Sequence, residues 1–354
     1  MTIAIAGCGF IGRIYGQVIQ ELGEDVAAVV DPDEERRLVL ARHLGCEPYS
    51  DLTEMLAAES SVGVIGLATP THLHAEQTLE ALRAGKSVLC EKPLAPALDD
   101  VAIMAEAATR TGSKLAVGFK MRFEGLFTTI RGLLLQGAIG EPRRILISHH
   151  QPLPPQTWVL RDGVTSELLI HSLDLANWLH GAEPVQVSSS HSEWDAGIEV
   201  ATSFRLEYPS GRDAHIVGGW LSEGYPPLGG RNDFLVQIVG SRGHLIGLRP
   251  DTVLVCAGAE TQRIGLPPYP YSLPFRHEWA SFLRWVRGGE AGDLATARDG
   301  LAVHTVLDAL HRSSANGRAD QRPGTGVSER TRARHDGPSE LTQRRVRKGG
   351  TGDA

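Results

Sequence analysis

None of the four cysteines in this 354-residue chain (Cys8, Cys46, Cys90, Cys256) lies near another in sequence, and there is no CxxC or metal-ligand spacing. Neither a disulfide framework nor a metal site is expected, and the cysteines read as small buried hydrophobes in a reducing compartment. No run of about 18 apolar residues could span a bilayer, and the N-terminal "MTIAIAGCGFIGR" lacks the basic start of a signal peptide. A cytoplasmic protein with no membrane partner is the expectation. Positive charge is also short: 35 Lys/Arg against 42 Asp/Glu give a net charge of −7. Nine basic and five acidic residues fall in the tail from Gly317, so the rest of the chain is more acidic still. That balance argues against nucleic acid as a partner. No internal repeat is present.

The 42% hydrophobic content supports a substantial core, and the length suggests two domains. Over residues 1–120, short apolar runs ("TIAIAG", "DVAAVVD", "VGVIGLATP", "KSVLCEK", "KLAVGF") alternate with amphipathic helical stretches. This is the rhythm of βαβ units, hence a doubly wound parallel sheet of the Rossmann kind. Residues 121–316 change character. A helical stretch around Ser166 to Leu179 precedes successive extended segments ("QVSSSHSEW", "EVATSFRLEY", "DAHIVGGW", "DFLVQIVGS", "HLIGLRP", "TVLVCAG") separated by turn residues. An α+β domain with a large, mostly antiparallel open sheet follows, closed by helices over "FRHEWASFLRWVRGG" and "DGLAVHTVLDALHRSSANG". Residues 317–354 have one Leu, two Val and no aromatic, and are expected to be a disordered basic tail.

Gly7-Cys8-Gly9-Phe10-Ile11-Gly12 completes a GxGxxG between an apolar strand and a helix, and Asp31 follows 19 residues after Gly12 at the end of the second strand. In that context the glycines permit a tight turn and close approach of a pyrophosphate to the helix N-terminus. Asp31 would accept hydrogen bonds from ribose hydroxyls and repel a 2′-phosphate, and no basic residue follows before Arg36 and Arg37. NAD is therefore favoured over NADP; capping of the next helix is the other role open to Asp31. Thr69-Pro70 ends the third core strand and fits a turn beneath a bound cofactor. His72 and His74, in the helix turn that follows, are candidates for ligand contact or for capping and packing.

In "VLCEKPL" a buried-strand pattern stops at Glu91, Lys92 and Pro93. An ammonium at the carboxyl end of a strand in an open α/β sheet stands where such sheets place ligands, and it is costly to bury unpaired. A second constellation is "SELLIHSLDLANWL". At about 100° per residue, Glu167, His171, Asp174 and Trp178 fall in one narrow arc of an otherwise apolar helix. Such a charged row must line a cavity or be internally paired.

GxGxxG, "ATPTHLHAEQTLEALRAGKSVLCEKPLA", "GFKMRF" and "ELLIHSLDLANWLHG", in this order from about Thr2 to Gly317, resemble the glucose-fructose oxidoreductase / inositol dehydrogenase / rhizopine-catabolism (Gfo/Idh/MocA) family. The resemblance implies an oxidoreductase acting with a nicotinamide cofactor on one CH–OH group of a sugar, cyclitol or aminocyclitol. It also implies a homodimer or homotetramer built on the open sheet. It places Lys92 between nicotinamide and substrate and makes His171 the catalytic histidine, with Glu167 where many members carry aspartate. The catalytic set is then Lys92, His171 and Glu167, with Glu167 orienting His171 or accepting a substrate hydroxyl. Gly7, Gly9, Phe10, Ile11, Gly12, Asp31, Thr69, Pro70, His74, Glu91 and Lys92 would hold the cofactor. Lys92, Lys120, Arg122, Asp174 and His171 would touch substrate, and Trp158, Trp220 or Tyr225 could stack on a sugar ring. Relatives that cleave glycosides with a retained cofactor, or that bind dinucleotide as regulators, are the alternatives.

Overall fold

A computed structural model describes residues 1–153, 162–194, 198–221, 233–249, 251–316 and 320–321. The first sheet is built from β1 (Thr2–Ala6), β2 (Asp25–Val30), β3 (Glu47–Tyr49), β4 (Val64–Leu67), β5 (Ser87–Cys90) and β6 (Leu115–Val117), in the order β3-β2-β1-β4-β5-β6 and parallel throughout. Its central strands are buried on both faces, which is why they read as unbroken apolar runs. The crossovers are α1 (Phe10–Glu21), α2 (Glu34–Leu44), α3 (Leu52–Ala58), α4 (Thr71–Arg83) and α5 (Leu98–Thr111). Strand order reverses between β1 and β4, so Gly7, Thr69 and Lys92 emerge together at the carboxyl edge of the sheet.

After α6 (Gly125–Leu135) the second sheet begins with β7 (Pro142–Pro152). Beyond α7 (Ile170–His180) come β8 (Gln186–Trp194), β9 (Ile198–Tyr208), β10 (Arg212–Leu221), β11 (Asp233–Gly240), β12 (Gly243–Leu248), β13 (Thr252–Ala257) and β14 (Glu260–Gly265). The order is β14-β13-β12-β11-β7-β10-β9-β8-β15, where β15 is the two-residue Asp320–Gln321, and only β7 with β10 is parallel. Helices α6 and α7 cover one face. On the other face Val217, Leu235, Val239 and Leu248 stand exposed. Apart from Asp320–Gln321, most of the expected tail lies outside the described residues. That pair joins the sheet edge through backbone pairing, which needs no apolar side chain.

Two helices close the molecule: α8 (Leu273–Val286) and α9 (Ala297–Asn316). The sequence grouped them with the second domain, yet α8 packs on the first sheet and its helices, and α9 bridges the two, packing on α5 and β6 on one side and on α7 and β8 on the other. Phe275, Trp279, Phe282 and Leu283 form a helical stripe in one core with Ile3, Ile5, Tyr15 and Ile19. Val303 and Leu307 of α9 share a core with Leu94, Val101 and Val117. Chain order therefore does not set the division of the core. Among the described residues, no helix is long and apolar enough to cross a membrane.

Candidate active site

The glycine turn is dictated by contact distances. Gly7 has φ +94°, and a Cβ there would lie 2.4 Å from the Ala68 carbonyl oxygen. A Cβ on Gly12 would lie 1.8 Å from the Gly7 carbonyl oxygen. Gly9 is the opposite case: nothing lies within 4 Å of the place its Cβ would occupy. Gly9 is also the N-cap of α1, with no side chain capping the helix. Unpartnered first-turn amides, the positive end of the helix dipole and open space thus coincide, which suits a pyrophosphate.

Asp31 accepts from the backbone N–H groups of Cys8 (2.8 Å) and Asp33 (2.9 Å), tying the glycine turn to the end of β2. The helix-capping role open to Asp31 falls instead to Asp33, whose carboxylate accepts from Arg36 N–H at 3.0 Å.

From this edge a cleft of about 560 Å³ runs between the two sheets; its walls include Ile11, Thr69, Pro70, Glu91, Lys92, Lys120, Glu124, His149, Gln151, Glu167, His171, Arg249, Tyr271 and Phe275. Phe10 is largely exposed at the mouth, its ring 5.9 Å from that of Tyr271. Lys92 is paired, as its position demands: Nζ donates to the Glu167 carbonyl oxygen at 2.7 Å and to Oε2 at 3.0 Å. The two side chains are 16% and 10% exposed. Glu167 belongs to a π-helical turn, Thr165–Leu169, that leads into α7. Such turns free carbonyl groups from the regular ladder.

His171 stands one turn further on, buried, edge-on to Phe119 with ring centroids 6.1 Å apart, and its Nδ1 has no partner. Burial first, then the Lys92 charge, pushes its pKa well below the usual histidine value, so the ring is neutral and able to accept a proton. The expectation that Glu167 orients His171 is not met. Its carboxylate engages Lys92 instead, accepting from Nζ at 3.0 Å. Glu91 accepts from Tyr15 Oη at 2.8 Å and from Lys92 N–H at 3.2 Å, and burial pushes its pKa up.

Four expected contacts are placed elsewhere. Arg122 and Asp174 form a buried pair, with Nε–Oδ2 at 2.9 Å and Nη2–Oδ1 at 2.5 Å, and Arg122 also bonds Asp299 at 3.2 Å. Neither lines the cleft. The arc on α7 is real, but helix rise carries Asp174 about 4.5 Å and Trp178 about 10 Å along the axis from His171. Trp178 there donates to Asp293 at 3.2 Å. His74 is buried with its two ring nitrogens 2.8 Å from the Pro93 and Thr69 carbonyl oxygens. It thus fixes the loops after β4 and β5 instead of facing ligand. Trp220 is buried and does not line the cleft, and Trp158 and Tyr225 lie outside the described residues.

His149, Gln151, Glu124 and Arg249 line the cleft but were not singled out from sequence. Glu124 accepts from Arg249 Nη2 at 2.5 Å and from Lys120 Nζ at 3.4 Å. His149 is buried against Phe234 and bonds the Ser172 hydroxyl at 3.0 Å. The available signal was the alternation Ile145, Ile147, His149, Gln151 in β7, whose arginines and adjacent histidines masked it.

A dinucleotide turn at the switch point of a parallel sheet, opening onto a lysine–glutamate pair and a neutral histidine, defines a nicotinamide-dependent dehydrogenase acting on CH–OH groups. Residues 1–119 match the model of the oxidoreductase family with an NAD-binding Rossmann fold, and residues 127–246 match the GFO/IDH/MocA C-terminal domain. The chain belongs to the Gfo/Idh/MocA oxidoreductases. It is similar to inositol 2-dehydrogenase of Rhizobium meliloti, 28% identical over 335 residues covering 90% of this chain and 98% of the relative. Inositol 2-dehydrogenase 2 of Saccharopolyspora erythraea is 30% identical over 340 residues, covering 90% of this chain and 94% of the relative. In fold, it resembles levoglucosan dehydrogenase in complex with NADH, with a TM-score of 0.83 at 20% identity, over 91% of this chain and 99% of that one.

Proposed function

We propose that the protein oxidises a secondary alcohol of a sugar, cyclitol or aminocyclitol with NAD, and reduces the ketone in reverse. The observation carrying this reading is that Lys92 and His171 face one cleft beside the Thr69–Pro70 wall. The residues present suit a nicotinamide dinucleotide: Gly9 to Gly12 and the α1 N-terminus would take its phosphates and Asp31 its ribose. Thr69, Pro70 and Glu91 would bound the nicotinamide end, and nicotinamide supplies the hydride acceptor when bound. Lys92, held in place by Glu167, donates an N–H to the reacting oxygen, and neutral His171 takes the hydroxyl proton. The names of the inositol 2-dehydrogenase relatives support the substrate class.

The test is NADH absorbance on incubating the protein and NAD with a panel of sugars, cyclitols and aminocyclitols. NADH formation with at least one alcohol is expected; a panel wholly without reduction, while NAD binds, would overturn the reading.

Cofactor choice rests on Asp31. NAD is expected to bind more tightly than NADP, and Asp31→Ala is expected to narrow the gap by removing both the ribose acceptor and the repulsion of a 2′-phosphate. Equal affinities in the unaltered protein, measured by fluorescence titration, would count against this role.

The exposed Val217, Leu235, Val239 and Leu248 on the outer face of the second sheet suit cover by a second copy. A dimer or tetramer is expected in light scattering at micromolar concentration, and Val217→Lys with Leu235→Lys should shift it toward monomer.

A further inference from the structure

We infer that the substrate carries a carboxylate, and that Lys120 and Arg249 bind it while Lys92 and His171 act on a hydroxyl of the same molecule. This deepens the dehydrogenase reading and rests on it. The cleft has two halves with different charge balance. In the half that includes His171, Lys92 and Glu167 pair one to one. In the other, Lys120 and Arg249 share Glu124.

These three side chains are only 16%, 11% and 6% exposed, so solvent screens the surplus cation poorly. Arg249 holds Glu124 at 2.5 Å, whereas Lys120 reaches it at 3.4 Å. The Lys120 ammonium otherwise leans on the ring faces of Tyr271 (5.0 Å) and Phe275 (5.3 Å). It therefore has N–H donors to offer a ligand, and it lines the cleft.

Among the described residues, no other ionisable group pairs with Lys120 or Arg249. His149 and His171 are kept neutral by burial. Glu91 also lines the cleft, but its carboxylate is taken up by Tyr15 Oη and the Lys92 amide and makes no ion pair with Lys120 or Arg249. Glu278 is fully buried with neither oxygen hydrogen-bonded, does not line the cleft, and burial pushes its pKa well above the usual carboxylate range. A neutral polyol would leave one cation uncompensated in a partly desolvated site, whereas a single carboxylate cancels it. A phosphate, at roughly −1.5 to −2 near neutral pH, would overshoot. The rival account is that both cations exist to keep Glu124 ionised as a hydroxyl acceptor for a neutral polyol, and it predicts the opposite ligand preference.

The test is calorimetric titration of the full chain saturated with NADH, which binds alcohols without turning them over. D-Glucuronate and D-gluconate are compared with D-glucose and myo-inositol. At least one acid is expected to bind tenfold or more tighter than either neutral compound, with affinity falling as salt rises. Lys120→Met and Arg249→Met, checked for unchanged melting temperature, should each remove most of the preference; Glu124→Gln should enhance it. Neutral compounds binding as tightly as the acids, no heat with either acid, or a preference that survives Lys120→Met would overturn the inference. NAD reduction by neutral alcohols alone would overturn it while leaving the dehydrogenase reading intact. Acids that bind but are never oxidised would strike at the dehydrogenase reading instead.

Discussion

Lys92→Ala is expected to lower turnover by about 10²–10⁴-fold, the range associated with losing a positioned acid–base group, while NAD affinity changes little. The ammonium points across the cleft to Glu167, away from the glycine turn, so its loss falls on the reacting oxygen and not on the phosphates. His171→Ala is expected to act similarly, and the double variant to be little worse than either single one, since groups on one proton path are not additive. Lys92→Ala also leaves Glu167 partly buried without its partner, so melting temperature must be measured beside turnover.

The pH profile carries separate information. Burial and the Lys92 charge both lower the His171 pKa, so the acid limb of alcohol oxidation should lie well below the usual histidine range. Removing Lys92 deletes one of those two causes, and the limb in Lys92→Ala should move up toward the ordinary value. Near-normal turnover in Lys92→Ala with an unmoved limb would reduce the lysine to a structural ion pair.

Gly12→Ala is expected to be the most damaging small substitution in the dinucleotide domain. The added methyl would sit 1.8 Å from the Gly7 carbonyl oxygen, a backbone atom that cannot withdraw without opening the turn. Gly7 is itself held at φ +94° against the Ala68 carbonyl, so the strain has no neighbouring slack to enter. A loss exceeding the about 1–3 kcal/mol typical of overpacking is expected, with NAD binding abolished.

Gly9→Ala separates fold from ligand. Its methyl enters open space, so stability in denaturant should be retained while NAD affinity falls. Equal loss of stability in the two variants would show that the turn, and not the space beside Gly9, governs binding.

The dinucleotide turn and the strand-end lysine were legible because each is written in a few consecutive residues. Glycines at positions 7, 9 and 12, an acid at the end of the next strand and a charge closing a buried run have local physical meaning wherever they fall in a parallel sheet. The short β3 was missed, since three residues, one of them proline, make no periodic signal. On α7 the angular pattern was legible but the axial one was not. Periodicity reports the face on which Asp174 lies; it does not report that Arg122, 52 residues away in sequence, meets it there.

The sequence by itself determined the class of fold, the nucleotide-binding turn and the two groups, Lys92 and His171, on which the proposed chemistry rests. Only the tertiary structure decided how charges pair across the cleft: Glu167 with Lys92 and not His171, Asp174 with Arg122, and Glu124 with an arginine 125 residues further along the chain. It also sent α8 back onto the first sheet and set α9 between the two sheets. The reason is that burial and ion pairing depend on distances through space, down to a few ångströms. Backbone turns and strand ends depend on neighbours along the chain.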